Sequence, residues 1–287
     1  MYHESVVFGN ITPKFTGKPS IFRGDVPNFR NFLVHRSHLT IFDDTWSTIF
    51  ICMHAMEKSD KLRKFNKRNK VENMKVILVN GSPHKEGCTY TALTEVEKEL
   101  NAAGVETEIF WLGTKPISGC LGCGACCRRG PNGEKPSGLC VINDIVNEFI
   151  AKAKEADGFI FGSPVHYAAL SGALTSFMDR AFYGKGAVYR YKPAAGIVSA
   201  RRGGTTAAFD QINKYFTISS MPVVSSKYWN MVHGNTPDQV RQDEEGMQVM
   251  RELGRNMAWL LKCIEAGHAA GIEAPAKEKP VMTNFIR

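Results

Sequence analysis

Cys120, Cys123 and Cys126, each two residues from the next, share a loop with Cys127 and, further on, Cys140. Thiolates at this spacing converge on one centre, and two successive two-residue gaps suit an iron–sulfur cubane. Zinc is a second reading, although its usual sites separate their ligand pairs more widely. Thiols that bind nothing are the third. Five of the eight cysteines fall within Cys120–Cys140, while Cys52, Cys88 and Cys263 stand apart. Such clustering points to local metal or redox chemistry in a reducing compartment, by default the cytoplasm, rather than to a distributed disulfide framework.

A second stretch with chemical content runs from Met74 to Thr89. The apolar run Val76-Ile77-Leu78-Val79 is expected to form a strand buried on both faces. Asn80-Gly81 ends it, and the polar loop Ser82-Pro83-His84-Lys85-Glu86-Gly87-Cys88-Thr89 leads into a helix. A buried strand that opens through such a loop into a helix N-terminus makes an anion site, because free N–H groups and the positive end of the helix dipole meet there. A phosphate-bearing ligand is expected.

Alternating elements must position these loops. A helix is expected over Thr89–Ala103, a strand over Glu106–Trp111, a helix over Asp144–Ala156 and a strand over Gly158–Gly162. A helix over Gly172–Phe182, a strand over Ala194–Ser199, a helix from Thr206 to Phe216 and a fifth strand around Pro222–Ser226 follow. The long Asp243–Glu265 segment closes the chain, with Met247, Met250, Leu253, Met257, Leu260 and Leu261 as its core stripe. Strands alternating with helices imply a parallel sheet covered on both faces. Three loops at strand C-terminal ends, Ser82–Thr89, Ser163–Tyr167 and Ser199–Thr205, should then converge on one ligand at the topological switch point. Tyr228 to Gly234, after the fifth strand, has two readings, a border of the ligand crevice or packing plus a turn, and is not counted among the site residues.

Two nucleotide motifs are absent. Gly87 is followed by Cys88 instead of the Lys-Ser/Thr ending of a P-loop, and Cys127 stands where the last glycine of a dinucleotide fingerprint belongs. Of the 287 residues, 43% are hydrophobic and 22% charged, ordinary for a globular protein. The net charge of +8 is uneven: residues 1–73 carry 12 basic against 7 acidic side chains, and the remainder 24 against 21. With most of the excess outside the part that reads as folded, nucleic acid is not an expected partner. No segment approaches the roughly 20 apolar residues of a membrane span, so no membrane partner is expected either. Residues 1–73 show no sustained periodicity and read as an appendage, poorly ordered or the product of a misassigned start with Met74 as the true initiator. The main domain is expected over 74–271, and 272–287 read as a tail.

The motifs Asn80-Gly81-Ser82-Pro83 with Gly87-Cys88-Thr89, Gly119-Cys120-Leu121-Gly122-Cys123-Gly124-Ala125-Cys126, Gly162-Ser163-Pro164-Val165-His166-Tyr167 and Phe177-Met178-Asp179-Arg180 occur in this order. In combination the sequence resembles the NADPH-dependent FMN reductase-like family of flavodoxin-fold proteins, and within it the branch of iron–sulfur flavoproteins. The resemblance spans roughly Met74 to Gly271. It implies a three-layer α/β/α fold around a five-stranded parallel sheet of order 2-1-3-4-5, and a homodimer or homotetramer that binds FMN.

Carried onto this chain, the resemblance has Ser82, Pro83, Gly87, Cys88 and Thr89 cradle the FMN phosphate. Pro164, Val165, His166 and Tyr167 would line the isoalloxazine, and Ser199, Arg201, Gly203 and Gly204 would close the other side. Cys120, Cys123, Cys126 and Cys140 would hold a 4Fe-4S cluster. Cys140 is preferred over Cys127 because it precedes an acidic helix start, as the family's fourth cysteine does. Cys88 departs from the family's usual Asn or Ser, and His166 from its Tyr. The implied activity is an FMN-dependent NAD(P)H oxidoreductase that passes electrons from a reduced nicotinamide or a ferredoxin-like donor to a small acceptor. The alternative is an electron carrier without turnover.

Overall fold

Val76 to Val79 are completely buried, as an apolar run without alternation requires when helices cover both faces of a sheet. The computed structural model describes residues 74–183 and 186–279, with 281, 283 and 285 beyond them. The expectations for residues 1–73 lie outside the described residues. The first strand, β1 (Lys75–Asn80), pairs in parallel with β2 (Glu106–Trp111) on one side and β3 (Gly158–Pro164) on the other. Next come β4 (Ala194–Ala200) and β5 (Met231–His233), giving the sheet order β2-β1-β3-β4-β5. This is the expected flavodoxin-like order, with its switch point between β1 and β3.

The fifth strand corrects the sequence reading. Pro222 and Val224 touch only the start of β4: Ala194 N–H donates to Pro222 O at 2.9 Å and Val224 N–H to Ala194 O at 2.8 Å. Proline has no N–H with which to extend a ladder. The chain then bulges outward through the exposed Tyr228 and Trp229 and returns to pair along Val198–Ala200 as β5. The Tyr228–Gly234 stretch therefore contains the edge strand, beside the C-terminal end of β4.

Helices α1 (Cys88–Ala102) and α7 (Glu244–Ala269) cover one face. Leu93, Val96 and Leu100 pack there with Met250, Leu253 and Met257. The other face is covered by α2 (Ile145–Glu155), α3 (Gly172–Phe182), α4 (Gly186–Tyr189) and α5 (Thr205–Ile218). Its core is aromatic: Phe149 lies edge-on to Phe159, Phe161 and Phe177 at centroid separations of 6.1, 6.0 and 5.0 Å. Such rings add directional contacts to the burial of roughly 2 kcal/mol or more per large apolar side chain. A short α6 (Pro237–Gln242) follows β5. No helix among the described residues is long and apolar enough to cross a membrane.

Candidate functional site

The loop after β1 is built by its own side chains. Asn80, fully buried, accepts from Ser82 N–H through Oδ1 at 3.0 Å and donates from Nδ2 to Lys85 O at 3.0 Å. Ser82 Oγ accepts from His84 N–H at 3.1 Å, and Trp111 Nε1 donates to Ser82 O at 2.9 Å. Gly81 must be glycine: a Cβ there would lie 2.9 Å from both Gly162 O and Leu174 Cβ. The folded loop delivers the chain to Gly87, the N-cap of α1, which has no side chain to satisfy the first-turn N–H groups.

That absence has a pattern. Asp144, Ser171, Thr236 and Asp243 cap α2, α3, α6 and α7 through side-chain oxygens. Among the described helices longer than one turn, α1 at Gly87 and α5 at Gly204 are capped by glycine, and both begin in loops selected from sequence. Helix N-termini left open in this way accept an anion.

Hydrogen bonds and packing join the three loops. Ser171 Oγ donates to Gly81 O at 2.8 Å, and Ser171 N–H donates to Ser163 Oγ at 2.9 Å. Val165 N–H donates to Ser199 O at 2.9 Å. Gly204, at φ 94°, packs so close to the 166–169 turn that a Cβ would sit 2.9 Å from Ala168 Cα. In that turn Tyr167 and Ala168 adopt φ 51° and 59°, and His166 and Ala169 exchange two hydrogen bonds of 2.9 and 3.0 Å. Left-handed backbone at two consecutive non-glycine residues costs on the order of 1 kcal/mol each, and such strain gathers where a loop must present a side chain. Here it presents His166 and the fully exposed ring of Tyr167.

Each residue selected from sequence has a definite place. Pro83 is exposed on the phosphate-type loop, Ser82 is buried beneath it, and Pro164 and Val165 are half-buried. Arg201 and Gly203 are exposed in the loop after β4, and Arg201 has no ion pair among the described residues. Two side chains turn away from the loop. Thr89 is buried with its hydroxyl 2.8 Å from Ser199 Oγ, beneath the crevice floor. The Cys88 thiol donates to Gly234 O at 3.7 Å, and burial pushes its pKa up. What Cys88 and Thr89 leave without a side-chain cap is their backbone N–H groups in the first turn of α1. Gly234, just past β5, was missed because the edge strand was placed too early in the chain.

The cysteine loop lies at the other end of α3. Cys120, Cys123, Cys126 and Cys140 line one small cavity together with Arg180 and Tyr183, and Cys127 is not in that lining. None of the four lining cysteines is in a disulfide. They stand around the cavity without closing to ligation range: among the described residues no three His, Cys, Asp or Glu side chains are grouped tightly enough to hold a metal ion. Cys126 Sγ lies 3.7 Å from Cys127 Sγ and 3.8 Å from Tyr183 O. Four thiols around one opening are nevertheless the donor set that an iron–sulfur cluster uses.

Arg180 is the residue that motif reading quoted without a role. It is buried in an apolar helix and spends all its N–H groups on the loop: Nε on Cys140 Sγ at 3.4 Å, Nη1 on Ser118 O at 3.3 Å and Asp144 Oδ2 at 2.6 Å, Nη2 on Ile142 O at 2.9 Å and Asp144 Oδ1 at 2.8 Å. Burial disfavours the Asp144 carboxylate, but Arg180 and the Val146 N–H outweigh it and hold its pKa below the ordinary value. A charged Asp-Arg pair inside an otherwise apolar helical stretch was its only sequence signal. A wider cavity, between Met74, Arg190, Lys192 and His268, opens at the opposite end of the strands and involves none of the three loops.

Residues 74–236 match the model of the NADPH-dependent FMN reductase family. The chain belongs to that family. Among its relatives is an iron–sulfur flavoprotein of Methanocaldococcus jannaschii, 35% identical over 200 residues that cover 67% of this chain and all of the relative. An iron–sulfur flavoprotein of Methanosarcina thermophila is 27% identical, with 67% of this chain and 97% of the relative covered. A solved flavone reductase shares the fold at TM-score 0.51 and 17% identity, covering 67% of this chain and 64% of its own.

Proposed function

We propose that this chain is an FMN-dependent oxidoreductase that takes electrons from a reduced nicotinamide or a ferredoxin-like donor and delivers them to a small acceptor. The carrying observation is the uncapped N-terminus of α1 at the junction of three hydrogen-bonded loops, in a chain of the FMN reductase family. Bound FMN supplies the hydride and single-electron chemistry. The first-turn N–H groups of α1, including those of Cys88 and Thr89, hold the phosphate in the loop that Asn80 and Ser82 keep folded. Pro164 and Val165 give the ring system an apolar wall, and the exposed Tyr167 ring is free to pack on it. Arg201 places an unpaired positive charge at the opposite rim, suited to the negative charge that a reduced flavin gains near N1. The active species in this reading is a homodimer or homotetramer.

A second reading rests on the four-cysteine cavity: an electron carrier without turnover, with a 4Fe-4S cluster held by Cys120, Cys123, Cys126 and Cys140. The names of the relatives support such a cluster for either reading. The visible spectrum of the purified protein tests both cofactors, and a colourless protein that takes up no FMN ends both readings. Nicotinamide oxidation by the FMN-loaded protein then separates them. Stimulated turnover supports the enzyme, and reduction by ferredoxin alone supports the carrier.

A further inference from the structure

The cysteine loop runs from Ser118 to Asp144 with little regular structure, only a three-residue turn of helix at Ala125–Cys127. Closing a loop of that length costs conformational entropy. One side chain ties its ends. Arg180, with a side chain only 1% exposed, bonds to Ser118 O before the first cysteine and to Cys140 Sγ, Ile142 O and Asp144 after the last gap. Asn147 adds a second tie on the far side, accepting from Cys140 N–H at 2.8 Å and donating to Cys140 O at 2.9 Å. Cys140 is thus fixed at its backbone by α2 and at its sulfur by α3.

We propose that Arg180 is a positioning residue for the cysteine site: it closes the loop, aims the Cys140 sulfur into the cavity, and tunes the bound group by donating Nε–H to that sulfur. The tuning part rests on the cluster reading given above. The geometry selects Arg over Lys. A planar fork reaches the Asp144 carboxylate with its two terminal nitrogens while Nε remains directed at Cys140, and an ammonium lacks that third fixed direction. A donor to a ligand sulfur draws electron density from it and favours the reduced cluster, so its removal should lower the reduction potential. The same helix begins at Ser171, which holds the β1 and β3 loops, about 14 Å from Arg180 at 1.5 Å per residue. The cysteine site and the flavin crevice are therefore set by the two ends of one rigid element.

The test compares Arg180→Lys and Arg180→Gln with the wild-type full chain, purified without oxygen. Circular dichroism and FMN content check folding, and Lys is the variant that keeps a charge opposite Asp144. The readouts are iron and sulfide content, cluster reduction potential, and hydrogen exchange of residues 118–144 in the iron-free protein. Expected are wild-type helicity and flavin, a several-fold rise in exchange of the loop, partial loss of iron, and a lower potential in the iron that remains, with Lys closer to wild type than Gln. Unchanged exchange overturns the clamp, and an unchanged potential with full iron overturns the tuning. A wild-type protein that holds no iron ends the cluster reading and the tuning with it, while loop exchange still decides the clamp. If neither variant folds, hydrogen exchange of the iron-free Cys140→Ala protein replaces them: removing the sulfur that Nε meets should loosen the loop around residue 140, and protection equal to wild type overturns the aim on Cys140.

Discussion

The Arg180 guanidinium and the Asp144 carboxylate face one another through two hydrogen bonds of 2.6 and 2.8 Å, and 36 residues of chain separate them. Asp144 also caps α2 through Val146 N–H at 3.1 Å. One carboxylate therefore starts a helix and neutralises the charged group that closes the cysteine loop.

Asp144→Asn keeps the cap and removes the charge. Breaking a buried pair by deleting one partner costs about 3–5 kcal/mol, and the lower end applies here because Asp144 is 28% exposed. Urea unfolding of the variant should show a loss of about 3 kcal/mol. A change under 0.5 kcal/mol would mean the pair contributes nothing net.

The same pair sets a pH dependence. The folded-state pKa of Asp144 lies below its ordinary value, so its contribution is fully present above the unfolded carboxylate pKa of about 3.9 and disappears as pH falls through the folded value. The stability difference between wild type and Asp144→Asn should be constant from pH 7 to pH 5 and shrink on further acidification. A difference that grows below pH 4 contradicts the sign.

Thr89→Val tests what the crevice floor does. The hydroxyl is spent on Ser199, so the variant should lose about 1–3 kcal/mol of stability by leaving Ser199 unpaired, while FMN affinity changes by less than about threefold. Loss of flavin binding by a hundredfold would place the hydroxyl on the phosphate instead. Adding Ser199→Ala to Thr89→Val should recover part of the lost stability.

Gly81→Ala drives a methyl group against Gly162 O and Leu174 at 2.9 Å. Overpacking of this kind costs about 1–3 kcal/mol, and here it displaces the loop that leads to the open end of α1. Both the melting temperature and the FMN affinity should fall, and an unaltered flavin titration would show that the loop position is irrelevant to binding.

Cys127→Ser and Cys140→Ser separate the two candidates for the fourth thiolate. Cys140 lines the cavity with the other three cysteines and Cys127 does not. Iron content measured after anaerobic purification should survive the first substitution and drop in the second. The reverse result reassigns the ligand.

The sequence alone marked the strands of a covered parallel sheet, because Val76–Val79, Gly158–Gly162 and Ala194–Ser199 are short apolar runs without alternation that alternate with helical segments, while the order of those strands came from the family resemblance. It also located the three loops that the structure joins at the strand ends, since each follows such a strand within a few residues. Tertiary structure decided what local pattern cannot encode. The edge strand moved to Met231–His233, because it pairs only with Val198–Ala200 at the end of β4 and three residues carry too little periodicity to be read. Thr89 and Cys88 turned their side chains away from the loop, because their partners, Ser199 and Gly234, are more than a hundred residues distant. Arg180 acquired its role in the same way: its acceptors come from Ser118, Cys140, Ile142 and Asp144, and only the packing of α3 beneath the cysteine loop brings them to one guanidinium.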